Sequence, residues 1–570
     1  MNPSGSIGLV GASDSYVTGT GQGSAYVFRN LDTATGSITQ NVTLVSSDGA
    51  ADDNFGTSVG LSGSIGLVGA STVDIGGILN QGAAYVFRNL DTATGTITQN
   101  VKLIASDGAT NDGLGNAVGL SGSIGLVGAR ADAIFGITQG SAYVFRNLDT
   151  ATGIITENAK LIASDGVAND LFGVGISLSG NRGLIGASLD DFGSSTNQGS
   201  AYVFRNLDTA TGTINQDVKL TASDGAASDG FGNTSSQSGS IGLVGARYDD
   251  DTFVDQGSAY VFRNLDTATG TITQNVKLIA SDGGAYENFG NNTGLSGSIG
   301  LVAANLDEIG PNDNQGSAYL FLGLDTATGT ITQNVKLIAS DGAAQDLFGT
   351  GARLGGDQFL IGASGWNGGT GKAYSGSVSS VTTLNTGSTS RTIDGISFTT
   401  VDDWTIGLTT DANQVTLTAG DKGSVTALGK GVYIGKNAGS DNNSLLLSGS
   451  LTANAVYIGA VGNAGNTLEI GTTAAFAAGS FYLAPENFLT IVGGDYTNSA
   501  SLLTYLGSTA LQVWSGSAWD TVTSSNYSDL IHSNYSSGSG ETTIHAVPEP
   551  STLVLTVLGV GGLLLRRRRR

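Results

Sequence analysis

An all-β fold, a β-propeller of about seven four-stranded blades, is what this sequence predicts for its first two thirds, and three observations carry the expectation. A segment close to GSAYVFRNLDTATGTITQNVKLIASDGAxxDxFGxxxGLSGSIGLVGA recurs over residues 1–380. Its tyrosine falls at Tyr26, Tyr85, Tyr143, Tyr202, Tyr260, Tyr319 and Tyr374, with spacings of 59, 58, 59, 58, 59 and 55. The alanine closing LVGA keeps the same beat, at Ala12, Ala70, Ala129, Ala187, Ala246, Ala304 and Ala363. Four antiparallel strands per unit, repeated about seven times, is the arithmetic of a propeller; a linear β-solenoid normally repeats over a shorter length. The composition agrees, because 89 Gly, only 5 Pro and 12% charged residues favour short strands and tight turns over helices.

Within a unit the strands follow from local pattern. We call them A (Phe55 to Ser62), B (Ile65 to Ala70), C (Ala83 to Leu90) and D (Thr96 to Ala105). Each is short, rich in β-branched or aromatic residues and bounded by Gly, Asp, Asn or Ser. Ser62-Gly63 suits an A-to-B turn, Ala93 to Gly95 a C-to-D turn, and Asp107-Gly108 opens the D-to-A connection.

Phe-Gly at the start of strand A and Gly-Ala at the end of B, followed by GSAYVF, resemble the FG-GAP repeat found in integrin α-subunit propellers and bacterial surface proteins. Phe55, Phe172, Phe231, Phe289 and Phe348 match the family's phenylalanine, with Leu114 in one copy, and Ser, Arg or Asn replaces its proline. The resemblance implies an acidic calcium loop between A and B. Here that connection is only Ser62, Gly63 and Ser64, too short to gather six to eight oxygen ligands. No metal and no cofactor are therefore expected, and the Asp residues of DGAxxDxFG, such as Asp107 and Asp112, read as an Asp-Gly turn with a capping carboxylate.

Strand alternation puts the A-to-B and C-to-D turns on one face and the B-to-C and D-to-A connections on the other. The first set is nearly uniform between copies, whereas the B-to-C loops all differ and are acidic. Binding residues tend to sit on loops held by a rigid scaffold, so the candidate binding face comprises Asp190, Asp191, Tyr248, Asp249, Asp250, Asp251, Asp307 and Glu308. The repeated arginine of YVFRN, Arg88 for example, is expected to pair with a nearby carboxylate. Strand A of the first blade would have to precede Met1, so either residues lie upstream or the region near Ser375 to Leu384 closes the ring.

Residues 387–510 are Gly/Ser/Thr-rich and repeat YIG at Tyr433 and Tyr457, similar to a short parallel β-helix. Residues 511–546 read as a linker holding the only histidines, His532 and His545. The chain closes at 547–570 with VPEPSTLVLTVLGVGGLLLRRRRR. Its apolar stretch, expected as a short hydrophobic helix, is shorter than the roughly 20 residues that span a bilayer, and the arginines hold the end on the cytoplasmic side. Pro548, Glu549 and Pro550, the apolar stretch and Arg566, Arg567, Arg568, Arg569 and Arg570 together resemble the PEP-CTERM sorting signal of Gram-negative bacteria. The resemblance implies export, transient residence in the inner membrane, cleavage by an exosortase-type membrane peptidase, and delivery to the cell surface or the exterior.

The net charge is −23, and the terminal arginines leave −28 for the rest. Nucleic acid is therefore not an expected partner. The absence of cysteine removes disulfides and thiol chemistry. No acid/base constellation stands out. The reading is a non-enzymatic structural or adhesive surface protein, with exopolysaccharide or another surface protein as partner. An extracellular carbohydrate-active enzyme and a glycan-binding lectin are the alternatives, the lectin being marked by exposed aromatics such as Tyr248, Phe253 or Trp366.

Overall fold

A computed structural model describes residues 1, 5–16, 21–34 and 37–378 in full and, beyond 378, the backbone of strands. The chain divides into two units, Met1–Gln333 with Gly342–Ser375, and Asn334–Asp341 with Gly376–Arg570.

The first unit is a seven-bladed β-propeller. The second blade shows the plan: A is Phe55–Ser62, B Ile65–Ala70, C Ala83–Phe87 and D Val101–Ile104, laid side by side in that order. A fifth strand, Gly153–Thr156, lies outside D and belongs to the next repeat. This corrects the expectation of four-stranded blades. The stretch Thr96 to Ala105, expected as one strand, is two: Gly95–Thr98 pairs in parallel with Val42–Val45 of the first blade, and Val101–Ile104 pairs antiparallel with strand C of its own. The same hand-over recurs at Gly153–Thr156, Gly212–Asn215, Gly270–Thr273 and Gly329–Thr332.

Side-chain chemistry fixes the break. Gln99 reaches back to Ser47 of the first blade, accepting from its N–H at 2.9 Å and donating to its hydroxyl at 2.9 Å. The next residue, Asn100, already belongs to its own blade, where its N–H donates to the Val86 carbonyl and its side-chain oxygen accepts from the Arg88 N–H, both at 2.8 Å.

Alternation along the strands gives each blade two apolar faces. Leu67, Ala84 and Val86 of the second blade cluster with Tyr143 and Phe145 of the third, while Val68, Tyr85 and Phe87 cluster with Leu9, Val27 and Leu44 of the first. The core therefore lies between blades. Within the second blade Phe55 sits edge-on to Tyr85 and Phe87, with centroids 5.5 and 6.0 Å away.

The ring closes between the seventh blade (Phe348–Gly355, Gln358–Ala363, Lys372–Ser377) and the first (Ile7–Ala12, Ser24–Arg29, Val42–Val45). At six of the seven junctions the leucine at the third position of strand B leans on the second-position glycine of the following blade, the exception being the seventh blade, where Phe359 takes the glycine's position. A Cβ on Gly66 would meet Leu9, one on Gly125 would meet Leu67, and one on Gly8 would meet Leu360 of the seventh blade at 2.9 Å. In this leucine–glycine contact the closing interface repeats the geometry of the others.

In the second unit, two parallel ladders run through residues 390–514, one joining Ser424–Ile434, Ser450–Ile458 and Ala475–Leu483, with Tyr457 in register with both Tyr433 and Tyr482. Near the C-terminus Leu555–Gly559 pairs antiparallel with Gly562–Arg566. Glycines at both facing ends and the Leu/Val/Thr content suit that outcome. Pro548 to Pro550 and Arg567 to Arg570 lie outside the described residues. No helix among the described residues is long and apolar enough to cross a membrane.

Candidate binding face

The B-to-C and D-to-A connections of a blade are tied together by main-chain hydrogen bonds. Asn111 N–H donates to Leu79, Asn169 to Thr138, Ser228 to Thr196 and Tyr286 to Val254. They form one continuous face.

Three residues beyond the alanine that ends strand B, the chain places Asp132, Asp190, Asp249 and Asp307, all buried. Their carboxylates turn into the blade. Asp132 accepts from Ser141 at 2.5 Å and Tyr143 at 2.9 Å and pairs with Lys160 at 2.6 Å. Asp249 accepts from Ser258 at 2.6 Å and Tyr260 at 3.2 Å and pairs with Lys277 at 2.9 Å. Asp190 meets Ser200 and Lys219, and Asp307 meets Tyr319. Lys160, Lys219 and Lys277 reach a second carboxylate carried by the preceding blade, Asp107, Asp165 and Asp224, at 2.6 to 2.7 Å, and Lys102, whose blade has Val73 at the interior position, meets Asp48 of the preceding blade at 2.6 Å. A partly buried lysine between carboxylates, over a tyrosine ring, stitches one blade to the next.

Of the expected binding residues, then, Asp190, Asp249 and Asp307 are interior groups. Asp191 and Asp250 brace their loops by accepting from the N–H of Asn197 and Asp255, at 2.8 and 2.7 Å. Asp251 adds a third carboxylate to Lys277 at 2.9 Å. Tyr248, 36% exposed beneath the Arg247 guanidinium, and Glu308 remain at the surface. Trp366 is partly covered, with the Lys372 ammonium 5.3 Å from its ring.

The Asp of DGAxxDxFG is a cap, as its pattern predicts. Asp112 accepts from the Ala109 N–H at 2.5 Å and Asp229 from the Ala226 N–H at 2.6 Å. Burial pushes the Asp229 carboxyl up to about 7, against that hydrogen bond and with help from Asp249, Asp250 and Asp224. Asp170 is pushed to about 6 by burial, with Asp190 and Asp191 nearby. The described residues contain no group of three or more His, Cys, Asp or Glu able to hold a metal ion.

What the face does present is apolar. Of the thirteen large hydrophobic residues exposed among the described residues, eleven sit on these connections: Tyr16, Ile78, Leu79, Phe135, Ile137, Val167, Phe192, Tyr248, Phe253, Val254 and Tyr286. Phe135, at the tip of a small hairpin, is 97% exposed, Tyr286 60% and Phe253 49%. Tyr248 and Phe253 are the expected lectin cues; Phe135 and Phe192 join them from the variable B-to-C loops and Tyr286 from a D-to-A connection, each marked in the sequence only by an aromatic in a turn-rich stretch.

The opposite side explains the uniform letters. Arg88 donates from Nε to the Leu148 carbonyl at 2.8 Å and from Nη2 to that of Ala151, both in the NLDTATG turn of the next blade. Arg205 and Arg263 repeat this on Leu265 and Ala268, and on Leu324 and Ala327. The arginine thus binds main-chain carbonyls, because the turn offers a pair of them where the guanidinium fork reaches, and the carboxylate expected is met by Arg205, whose Nη1 lies 3.9 Å from Asp217 Oδ1.

These features define a repeat propeller in which a Phe-Gly opening one strand and a Gly-Ala closing the next are interface elements. The FG-GAP repeat matches at residues 38–87, 97–145, 155–204, 214–262, 272–321 and 331–381, and the chain belongs to the FG-GAP repeat family. No curated protein sequence matches it.

Proposed function

We propose that this is a non-enzymatic, exported surface or matrix protein of a Gram-negative bacterium, and that its propeller adheres through the tips of the variable loops. An FG-GAP propeller fits a surface or adhesive protein in general. The observation that carries the finer reading is the gathering of exposed aromatic and aliphatic tips on the one face whose loops differ from copy to copy, while Asp190, Asp249 and Asp307 are held in internal contacts and Asp191 and Asp250 brace their loops. Rigid aromatic rings on exposed tips suit the apolar faces of sugars or a protein surface. The terminal Pro548-Glu549-Pro550 motif, apolar stretch and arginines support export and cleavage by an exosortase-type peptidase after transient residence in the inner membrane.

The test is binding of the purified chain to the producing organism's exopolysaccharide, with and without Ca²⁺. Saturable, calcium-independent binding that weakens in Phe135→Ala and Phe253→Ala, with thermal stability unchanged, is expected. Binding indifferent to both substitutions would remove the tips from recognition, and no binding at all would leave the propeller a structural role.

A further inference from the structure

The A strands line the central channel of the propeller, and the sixth residue counted from the Phe-Gly or Leu-Gly that opens each of them is small in five copies: Gly60, Gly119, Ser177, Ser236 and Gly294. In the seventh blade that position carries Arg353. Gly294 makes room for it, since a Cβ there would come within 3.1 Å of the Arg353 Cα. Arg353 Nη1 donates to the Thr293 carbonyl at 2.7 Å, to Asn292 Oδ1 at 2.8 Å and to the Ala352 carbonyl at 2.9 Å. Ser236 Oγ, from the fifth blade, donates to the same Thr293 oxygen at 2.8 Å, so the guanidinium and this hydroxyl stand side by side.

The arginine is left without a counter-charge. Among the described residues its hydrogen bonds all leave from Nη1 and none goes to a carboxylate, so Nε and Nη2 remain to donate. Lys160, Lys219 and Lys277 each gather two or more carboxylates in the same propeller. The Arg353 side chain is open to the channel yet walled in around it, and burial holds the guanidinium below its ordinary pKa with no acidic neighbour to offset the shift. An enclosed charge is costly unless it is paired. The cavity that Arg353 lines measures about 160 Å³, and across it the third and fourth blades present Val118, Leu120, Ile176 and Leu178. Cavities of this order take a benzene-sized guest.

We propose that the channel binds a small organic carboxylate with an apolar body, about the size of benzoate. Nε–H and one Nη2–H lie along one edge of the guanidinium and hold the carboxylate in a planar, bidentate pair. The body of the ligand rests on the aliphatic wall opposite. An inorganic anion would match the charge and waste the wall; a neutral aromatic would match the wall and leave the guanidinium unpaired. The site lies inside the ring, apart from the loop tips, so it stands or falls independently of adhesion.

The test is calorimetric titration of the full chain with sodium benzoate, sodium sulfate and benzyl alcohol. Benzoate is expected to bind saturably and at least about tenfold more tightly than either of the others, a difference of roughly 1.4 kcal/mol. Arg353→Gln, which keeps a donor for Thr293, is expected to weaken benzoate by about tenfold or more. Ser236→Asp sets a carboxylate beside the guanidinium and is expected to abolish binding, whereas Ser236→Asn, of the same shape without the charge, stays within about threefold of the parent. The comparison of the three ligands on the parent chain does not depend on any variant folding. Sulfate or benzyl alcohol binding as tightly as benzoate, undiminished binding in Arg353→Gln or Ser236→Asp, or no saturation with benzoate up to about 10 mM would each overturn the proposal.

Discussion

Gly69 in the second blade and Gly115 in the third face each other so closely that a Cβ on Gly69 would lie 2.0 Å from the Gly115 carbonyl oxygen. The contact recurs between Gly11 and Gly56, Gly128 and Gly173, Gly186 and Gly232, and Gly245 and Gly290, at 2.0, 2.2, 1.8 and 2.1 Å. The two glycines of the repeat, distant in sequence, are thus halves of one contact across a blade junction.

Gly69→Ala is therefore expected to push two blades apart and destabilise the propeller by about 1–3 kcal/mol. Gly362→Ala, at the same place in the repeat but with no atom nearer than 3.7 Å to the added Cβ, is expected to change stability by less than about 0.5 kcal/mol. Urea unfolding of the two variants checks the pair, and equal losses would separate the effect from the glycine contact.

Lys277 gathers Asp224, Asp249 and Asp251, whereas Lys102 pairs with Asp48, and Val73 stands where other blades have the interior aspartate. Lys277→Met strands three carboxylates and is expected to cost about 3–5 kcal/mol. Lys102→Met leaves one half-exposed carboxylate and is expected to cost about 1 kcal/mol or less. Thermal unfolding in parallel would show the ranking, and a reversed order would contradict it.

Asp229 and Asp170 carry folded-state pKa values of about 7 and 6, above the ordinary carboxylate value of 3.8. A carboxyl that holds its proton more tightly when folded adds stability as pH falls from about 7 towards 4 and withdraws it as pH rises. Asp229→Asn keeps an acceptor for the Ala226 N–H and removes the charge. Its melting temperature is expected to exceed that of the parent at about pH 8 and to converge with it near pH 4, with a gain on the order of 1 kcal/mol or more. A melting temperature lowered at about pH 8 would show that the charge itself is needed.

The blades were legible because the repeat writes strand length, turn residues and period in plain letters, and the Phe-Gly and Gly-Ala positions fell where the sequence puts them. The hand-over was hidden because TITQNVKLIA contains no Gly or Pro and only Asn100 as a turn former; the exit from one sheet and entry to the next depends on Gln99 and Ser47, 52 residues apart in the chain. The direction of the loop aspartates was equally hidden. Asp249 and Asp250 are neighbours, yet the first turns in to Lys277 and the second braces its own loop. Side-chain direction in an irregular loop is decided by partners that the local sequence does not reveal.

Since each repeat surrenders Gly95–Thr98 or its counterpart to the sheet before it, the unit that evolution can copy is not the blade. It is the stretch of about 58 residues that carries a donor at one end and a recipient at the other. Tandem duplication of that stretch creates matched junctions on both sides at once, which accounts for copies this alike standing side by side in one chain.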